Sequence, residues 1–269
     1  MVTDNSTGDR EFQGSLPRYA VTERLRVHAL RFEQALACID TWIAQGEHHY
    51  VNLCTAHTAL ECYRSPELAA IIRGAGMATP DGMPLVWLGR LRGYAVDRVY
   101  GPDLMWAVCE RGIARGYRHF FYGGEPGVAD KLATRLRQCM PGIRIVGTHS
   151  PPFRELTDIE EQAVAAMINH SHADLVWVGL GAPKQDYWVA HFRPKLTAPV
   201  LIAVGAAFNF LSGRVRQAPR WMQRTGLEWL FRLSQEPRRL WRRYLIGNPM
   251  FFLLAMRQLA REQIRSLES

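Results

Sequence analysis

The chain has 269 residues, of which 48% are hydrophobic, and it carries a formal net charge of +8 with a pI of about 9.5. This length and apolar content exclude a disordered protein and are sufficient for a large buried core. The basic balance favours an anionic partner, which can be nucleic acid, an acidic membrane surface or a phosphorylated substrate.

The N-terminal segment is polar. Asp4, Asp9 and Glu11 occur where a secretory signal peptide needs an apolar run, so residues 1–24 are predicted to form a disordered tail. The five cysteines are scattered, with no CxxC pair and no spacing typical of a zinc site. We therefore expect a cytoplasmic protein, located in a reducing compartment.

Between residues 25 and 213, short runs of β-branched and aromatic residues alternate with longer segments of helical spacing. Strands are predicted at 49–54, 118–122, 143–148, 174–180 and 200–205, and apolar residues three or four positions apart predict helices between them. This alternation predicts an α/β fold, with a Rossmann-like, mainly parallel sheet flanked by helices as the core.

One carboxylate, Asp81, stands between Pro80 and Gly82 at a predicted strand-to-helix junction. Pro80 fixes its own φ, and Gly82 can adopt dihedral angles that other residues avoid, so we expect a stiff turn. A carboxylate held on such a turn can serve as a general base. The alternative is that Asp81 only caps a helix running from about residue 83 to residue 92.

Two glycine-containing loops follow predicted strands. Gly123 and Gly124 follow the strand at 118–122, and Gly181, Lys184 and Gln185 follow the strand at 174–180. Such loops can offer backbone amides to phosphate at the carboxyl ends of parallel strands, although their glycines can equally serve turn geometry alone. Neither loop has GxGxxG spacing and a Walker P-loop is missing, which disfavours a nicotinamide-dependent enzyme.

The composition changes after residue 213. Residues 214–243 contain nine arginines and two glutamates, interleaved with Trp, Leu and Phe, which predicts a basic amphipathic helical appendage over 214–269. Such an appendage suits an anionic membrane surface or a cover over the active site. The alternatives are a helical layer packed on the sheet or on another subunit of a homo-oligomer, and nucleic-acid binding. Nucleic acid is disfavoured because no recognised binding module frames the segment.

Six short motifs occur in order along the chain. They are PDGMPLVW at 80–87, RVYGPDL at 98–104, FYGG at 121–124, VGLGAPKQ at 178–185, GLEWL at 226–230 and EPRR at 236–239. Together they resemble the WecG/TagA/CpsF family of glycosyltransferases (glycosyltransferase family 26) over about residues 25–245. The resemblance implies inverting transfer of a sugar from a nucleotide-diphosphate sugar to a polyprenyl-diphosphate-linked saccharide, in cell-surface or exopolysaccharide biosynthesis at the inner face of the cell membrane.

The resemblance also implies roles for particular residues, with Asp81 as the general base. The residues expected to bind the donor nucleotide sugar are Thr55, Arg98, Gly101, Gly123, Gly124, Gly181, Lys184 and Gln185. Arg232, Arg239 and Arg242 are the candidates for binding the diphosphate and the acceptor. No metal cofactor is expected, because the chain has no Asp-x-Asp motif and arginines can neutralise a departing diphosphate.

The chain departs from the family pattern at residues 53–57, which are LCTAH where many relatives have Thr-x-Asn. Thr55 takes the place of that Asn. His57 is then a candidate for contacting substrate or assisting Asp81, or else a structural hydrogen-bonding residue. The competing function is a non-catalytic nucleotide-binding or assembly protein that docks a partner through its basic tail.

Overall fold

A computed structural model describes residues 16–267, and its centre is a six-stranded sheet of parallel strands in the order β4-β3-β8-β7-β5-β6. The strands are β3 (His49–Cys54), β4 (Met77–Pro80), β5 (Arg118–Gly123), β6 (Arg144–His149), β7 (Leu175–Gly179) and β8 (Val200–Ala203). The five strands predicted from apolar runs are confirmed to within two residues at each end. The predicted parallel α/β architecture is therefore correct.

Helices cover both faces of this sheet. Up to residue 211 they are α1 (Phe32–Gln45), α2 (Ala56–Arg64), α3 (Pro66–Gly74), α4 (Met83–Leu91), α5 (Gly101–Arg115), α6 (Val128–Cys139), α7 (Asp158–His170), α8 (Lys184–Phe192) and α9 (Ala207–Leu211). Alternate residues of one strand enter opposite cores: Trp177 of β7 packs with α5 and α6, whereas Val176 and Val178 pack with α7 and α8. The central strands β7 and β8 lack polar alternation because both of their faces are buried, whereas the edge strand β6 is only partly buried.

A short antiparallel hairpin precedes the sheet, formed by β1 (Arg18–Ala20) and β2 (Arg26–His28). Residues 1–15 of the predicted tail lie outside the described residues, but the extension of that prediction to residue 24 is wrong. Tyr19 is buried, and Nδ1 of His28 accepts a hydrogen bond from the amide of Ala78 at 2.9 Å. The hairpin therefore covers edge strand β4, whose backbone groups would otherwise be unpaired.

The C-terminal segment is helical, as predicted. It comprises α10 (Arg220–Arg224), α11 (Glu228–Gln235), α12 (Pro237–Trp241), a π-helical turn (Arg242–Ile246) and α13 (Gly247–Leu267). Phe251 and Leu254 of α13 are buried in one cluster with Val27 and Leu60, so this helix completes a core of the α/β unit. The domain division at residue 213 stays a prediction. None of the helices in 16–267 is long and apolar enough to cross a membrane.

Candidate active site

Asp81 lies at the carboxyl edge of the sheet, directly after β4. The amides of Asp81 and Gly82 both donate to the carbonyl oxygen of Cys54, at 2.9 and 3.2 Å, which attaches the turn to the end of β3. The N-cap of α4 is Gly82 and not Asp81, and no side chain caps this helix. The alternative that Asp81 serves as a helix cap is therefore wrong, and its carboxylate is available for other contacts.

The turn is stiff for a different reason from the predicted one. Gly82 has φ −81° and ψ 134°, which any residue can adopt, so the expected need for glycine dihedral freedom is wrong. Pro80 belongs to β4, and its carbonyl accepts a hydrogen bond from the amide of Val99 at 2.9 Å. Hydrogen bonds on both sides of Asp81, together with the proline ring, hold the position of its carboxylate.

Arg98 connects Asp81 to the C-terminal segment. Its Nε donates to the Asp81 carbonyl, and its Nη2 lies 3.4 Å from Asp81 Oδ1 and 2.6 Å from Glu228 Oε2. The second oxygen of Glu228 accepts from the Tyr100 hydroxyl at 3.0 Å. The guanidinium of Arg98 also lies 4.1 Å from the centroid of the Tyr100 ring. One cation is thus shared by two carboxylates, and its shorter contact is to Glu228.

The environment makes Asp81 a stronger base than an ordinary aspartate. Burial raises the pKa of its carboxyl to about 6, Arg98 and Arg232 oppose this rise, and the negative charge of Glu228 adds to it. At pH 7 such a group is mostly ionised and still has a high proton affinity. This is the pKa range that suits general-base catalysis near neutrality.

Two arginines of the C-terminal segment act on this carboxylate. Arg232 lies with its guanidinium 5.6 Å from the Phe210 ring centroid, and its charge lowers the pKa of Asp81. Burial lowers the pKa of Arg243, where the nearby charges of Arg232 and Arg239 act in the same direction and Asp81 opposes them. Within 16–267, the buried Nε of Arg243 has no hydrogen-bond partner.

The structure places the three arginines predicted to bind diphosphate in different environments. Arg232 lies in the field of Asp81, but Arg242 is exposed, with its guanidinium 5.2 Å from the Trp241 ring centroid. Arg239 is also exposed and pairs with Glu236 at 2.6 Å. Arg243, which sequence reasoning missed, takes the inner place. Helical spacing does not single it out, because α11 ends at Gln235 and Pro237 begins α12, so no one helix carries positions 232, 239 and 243.

Thr55 and His57 begin α2 beside the turn that carries Asp81. The Thr55 side chain caps this helix by accepting from the amide of Thr58 at 3.4 Å. Burial lowers the pKa of His57 to about 3, and the charges of Arg243 and Arg64 reinforce this effect. His57 is therefore a neutral imidazole at pH 7, able to donate or accept a hydrogen bond but unable to neutralise phosphate.

The glycines after β5 serve close packing between strands. Gly123 has φ +124°, and a Cβ atom there would lie 2.7 Å from the carbonyl carbon of Gly179 on β7. Gly124 has φ +77°, and its amide donates to Gly179 O at 3.0 Å. The prediction that both amides are free for phosphate is therefore wrong for Gly124, and turn geometry explains both glycines.

The loop after β7 is more open. Gly181 has φ +80°, and a Cβ built there would meet no atom within 4 Å. Lys184 is exposed, with its ammonium 4.9 Å from the Phe153 ring centroid. In contrast, Gln185 is buried, and its Oε1 accepts from the Gly181 amide at 3.1 Å. Gly181 and Lys184 are thus accessible to a ligand, whereas Gln185 shapes the loop.

Gly101 is also interior. It is the first residue of α5, and a Cβ there would lie 3.1 Å from Leu53 Cδ1 and 3.2 Å from Val204 O. Its lack of a side chain lets α5 approach the sheet closely, so a direct contact of Gly101 with the donor is not supported by its burial.

The part of the chain that the structure describes contains no group of three or more His, Cys, Asp or Glu side chains placed to hold a metal ion. Three arginines, Arg98, Arg232 and Arg243, place positive charge near Asp81 at this edge of the sheet.

Comparisons with known proteins bear on this arrangement. The family model described as glycosyl transferase WecG/TagA/CpsF family matches residues 21–265, which include the whole sheet and the C-terminal arginines. A curated relative from Bacillus spizizenii strain W23, named N-acetylglucosaminyldiphosphoundecaprenol N-acetyl-beta-D-mannosaminyltransferase, is 28% identical over 206 residues, or 76% of this chain and 78% of the relative. Since the family match spans nearly the entire described chain, this protein belongs to the WecG/TagA/CpsF family of glycosyltransferases.

Proposed function

We propose that this glycosyltransferase moves a sugar from a nucleotide-diphosphate sugar to N-acetylglucosamine carried on polyprenyl diphosphate, with inversion at the anomeric carbon and with Asp81 as general base. The observation that carries the proposal is the environment of Asp81. Its carboxylate lies at the carboxyl edge of a parallel sheet and caps no helix, and its pKa is raised to about 6. The name of the Bacillus relative supports this acceptor class. The proposed role is in cell-surface polymer synthesis.

The proposed reaction needs a single base, because one proton is released as one bond forms and one bond breaks. The acceptor hydroxyl attacks the anomeric carbon, and its proton passes to the carboxylate of Asp81 as the new C–O bond forms. The bond between the anomeric carbon and the phosphate oxygen breaks on the opposite face, and its electron pair leaves with the nucleoside diphosphate. A single displacement of this kind inverts the anomeric configuration.

The leaving diphosphate needs positive charge, and the arginines near Asp81 can supply it. Arg243 is the strongest candidate because the residue is partly buried and its buried Nε is unpartnered in the described chain. A buried guanidinium without full hydrogen bonding is costly unless an anion binds it, and guanidinium binds phosphate in a bidentate manner. We propose that Arg243 and Arg232 hold the diphosphate and that the reaction needs no metal.

The donor is proposed to occupy the carboxyl edge between the loops after β3 and β7. Gly181 and Lys184 are the accessible members of the predicted donor-binding set, and Lys184 offers a cation. Thr55 and Gln185 shape the same edge through side-chain hydrogen bonds to backbone amides, and Gly123 and Gly124 shape it through their backbone conformation. The neutral imidazole of His57 is proposed to hydrogen-bond the substrate there.

An acceptor carried on a lipid is found at a membrane, and the C-terminal segment has a surface that can contact one. Leu245, Leu253 and Met256 are more than half exposed, and Arg238 and Arg242 are exposed beside them in the chain. We propose that this exposed apolar and basic face contacts an anionic bilayer as a peripheral protein at the inner face of the cell membrane. The segment contacts no nucleic acid in this proposal.

The decisive assay is a screen of nucleotide sugars against a short-chain polyprenyl-diphosphate N-acetylglucosamine. Transfer to this acceptor, with an inverted anomeric linkage in the NMR spectrum of the product, is the expected result. A product with retained configuration would contradict the single displacement. If no donor is consumed while nucleotides still bind, the non-catalytic assembly function would replace the proposal.

A further inference from the structure

Arg98 lies between the carboxylates of Asp81 and Glu228, which compete for the same donor, Nη2 of its guanidinium. Its Nη2 lies 2.6 Å from Glu228 Oε2 but 3.4 Å from Asp81 Oδ1, where a charge-assisted bond of normal length is about 2.8 Å. The guanidinium therefore satisfies Glu228 and leaves Asp81 with a long contact. Its Nε is also occupied, because it donates to the Asp81 carbonyl and not to the carboxylate.

Glu228 is held firmly in this arrangement. It is the first residue of α11, its side chain is 13% exposed, and its second oxygen accepts from the Tyr100 hydroxyl at 3.0 Å. The same C-terminal segment takes another donor of Arg98, since Nη1 donates to the Gln223 carbonyl at 3.2 Å. Both contacts direct the guanidinium of Arg98 toward the C-terminal segment.

We propose that Glu228 is a positioning residue for the transfer reaction: by binding Arg98, it prevents this cation from neutralising the carboxylate of Asp81. The inference rests on the proposed function, in which Asp81 takes the proton of the acceptor. It adds to that function a role for a residue of the C-terminal segment that touches neither the sugar nor the diphosphate.

The charges around Asp81 explain why such a residue is useful. Arg98 comes from the connection between α4 and α5, Arg232 comes from α11, and Arg243 comes from the turn before α13. Glu228 is the one anion that acts on Asp81 among these groups, and Cys54 and Tyr100 nearby are kept protonated by burial. The cations that bind diphosphate would also weaken the base, and Glu228 offsets them.

The arrangement couples the base to the docking of the C-terminal segment. When α11 is in place, Glu228 takes the Nη2 donor of Arg98. When α11 is displaced, Arg98 is free to form its normal bond with the Asp81 carboxylate. The carboxylate then becomes a weaker base.

The test is the pH dependence of kcat/KM for Glu228→Gln. This change removes a negative charge near Asp81 and releases Arg98, and both effects favour the ionised carboxylate. The acid limb of the profile is expected to move to lower pH by roughly one unit, with a lower plateau. Glu262→Gln is the matched control, because it removes another Arg–Glu contact of the C-terminal segment, to Arg92 at 3.0 Å, and should leave the limb unchanged.

A second readout does not depend on turnover. The carboxyl carbon of Asp81 can be titrated by ¹³C NMR in protein labelled at aspartate, with Asp81→Asn identifying the signal. Glu228→Gln should lower the midpoint of this titration by roughly one unit. If Glu228→Gln does not fold, Glu228→Asp keeps the charge but shortens the side chain, and a smaller shift in the same direction is expected.

The outcomes separate the two proposals. An unchanged Asp81 midpoint in the folded Glu228 variants would overturn the positioning role, even if Asp81 remains the base. If Asp81→Asn instead keeps wild-type turnover and the acid limb of the kcat/KM profile, Asp81 is not the general base. In that case the NMR titration of Asp81 in the Glu228 variants still reports whether Glu228 keeps Arg98 away from the Asp81 carboxylate.

Discussion

Asn52 of β3 donates from Nδ2 to Oδ1 of Asp186 on α8 at 2.7 Å, and both residues are almost fully buried. This bond connects β3, which ends at Cys54, to α8, which begins at Lys184, so it fixes two walls of the candidate site relative to each other. Burial raises the pKa of Asp186 to about 7, and the bond from Asn52 opposes the rise. The buried Oδ1 of Asn52 has no partner in the described chain and could accept from a protonated Asp186.

This pair predicts a pH dependence of stability. Because the pKa of Asp186 is higher in the folded than in the unfolded chain, its contribution to stability is fully present below the unfolded pKa, near 4, and is lost as the pH rises toward 7. The free energy of unfolding of the wild type should therefore fall over this range relative to Asp186→Asn, by on the order of 2–4 kcal/mol. Urea unfolding at several pH values measures this difference in the free energy of unfolding. Parallel plots of the free energy of unfolding against pH for the two proteins would contradict the prediction.

Asp81→Asn should lower kcat by about 10²- to 10⁴-fold, the usual contribution of a general base, while nucleotide affinity is retained. The amide occupies the same space but cannot take the acceptor proton. Steady-state kinetics and calorimetric nucleotide binding provide the measurement. Asp158→Asn, at an exposed position of α7, is the control with the same chemical change. Near-normal turnover of Asp81→Asn would remove this residue from the role.

Arg243→Ala and Arg242→Ala form a matched pair of neighbours with different environments. Loss of Arg243, which is partly buried in the field of Asp81, should reduce kcat/KM by about 10²- to 10³-fold, as expected for an electrostatic contact to developing charge. Loss of the exposed Arg242 should have little effect with a short-chain acceptor in detergent-free solution. Equal losses in the two variants would show that the inner position of Arg243 has no importance for the reaction.

Chelation tests whether arginine charge alone serves the leaving group. Activity should persist in excess EDTA if Arg232 and Arg243 provide, as proposed, the positive charge that a divalent metal supplies in other transferases. Initial rates with and without EDTA are compared. Loss of activity that Mg²⁺ restores would overturn the metal-independent mechanism.

Membrane contact is tested on the exposed face of α13. Leu253→Glu and Met256→Glu should reduce sedimentation with liposomes that contain acidic lipids, since each change places a negative charge on a face proposed to enter the interface. Ile159→Glu, at an exposed apolar position of α7, is the control. Added salt should also weaken binding, because each arginine near an acidic bilayer contributes about 1 kcal/mol that ions screen. Deletion of the whole segment is less suitable, because Phe251 and Leu254 complete a core.

Local patterns were sufficient for most of the fold. The strands β7 and β8 are predictable because each is an apolar run, which a strand buried on both faces requires, and β3 and β5 are predictable because most of their residues are apolar or aromatic and buried. The edge strand β6 is only partly buried and is predictable from its Ile145-Val146 pair. The hairpin of β1 and β2 was not predictable, because its three-residue strands are too short for a pattern. They are held in place by tertiary contacts, which are the burial of Tyr19, Val21, Leu25 and Val27 in the core and the bond from the Ala78 amide of β4 to the His28 side chain.

The sequence by itself determined the family, the parallel sheet and Asp81 as the carboxylate of interest, because ordered motifs and apolar periodicity are properties of the chain read in one dimension. Only the tertiary structure decided that Arg243 and not Arg242 lies inside, that Gln185 shapes its loop, and that Glu228 binds Arg98. The physical reason is that burial, pKa and hydrogen-bond competition depend on which groups meet in space. Glu228 and Asp81 meet at Arg98 only after the C-terminal helices have packed on the sheet.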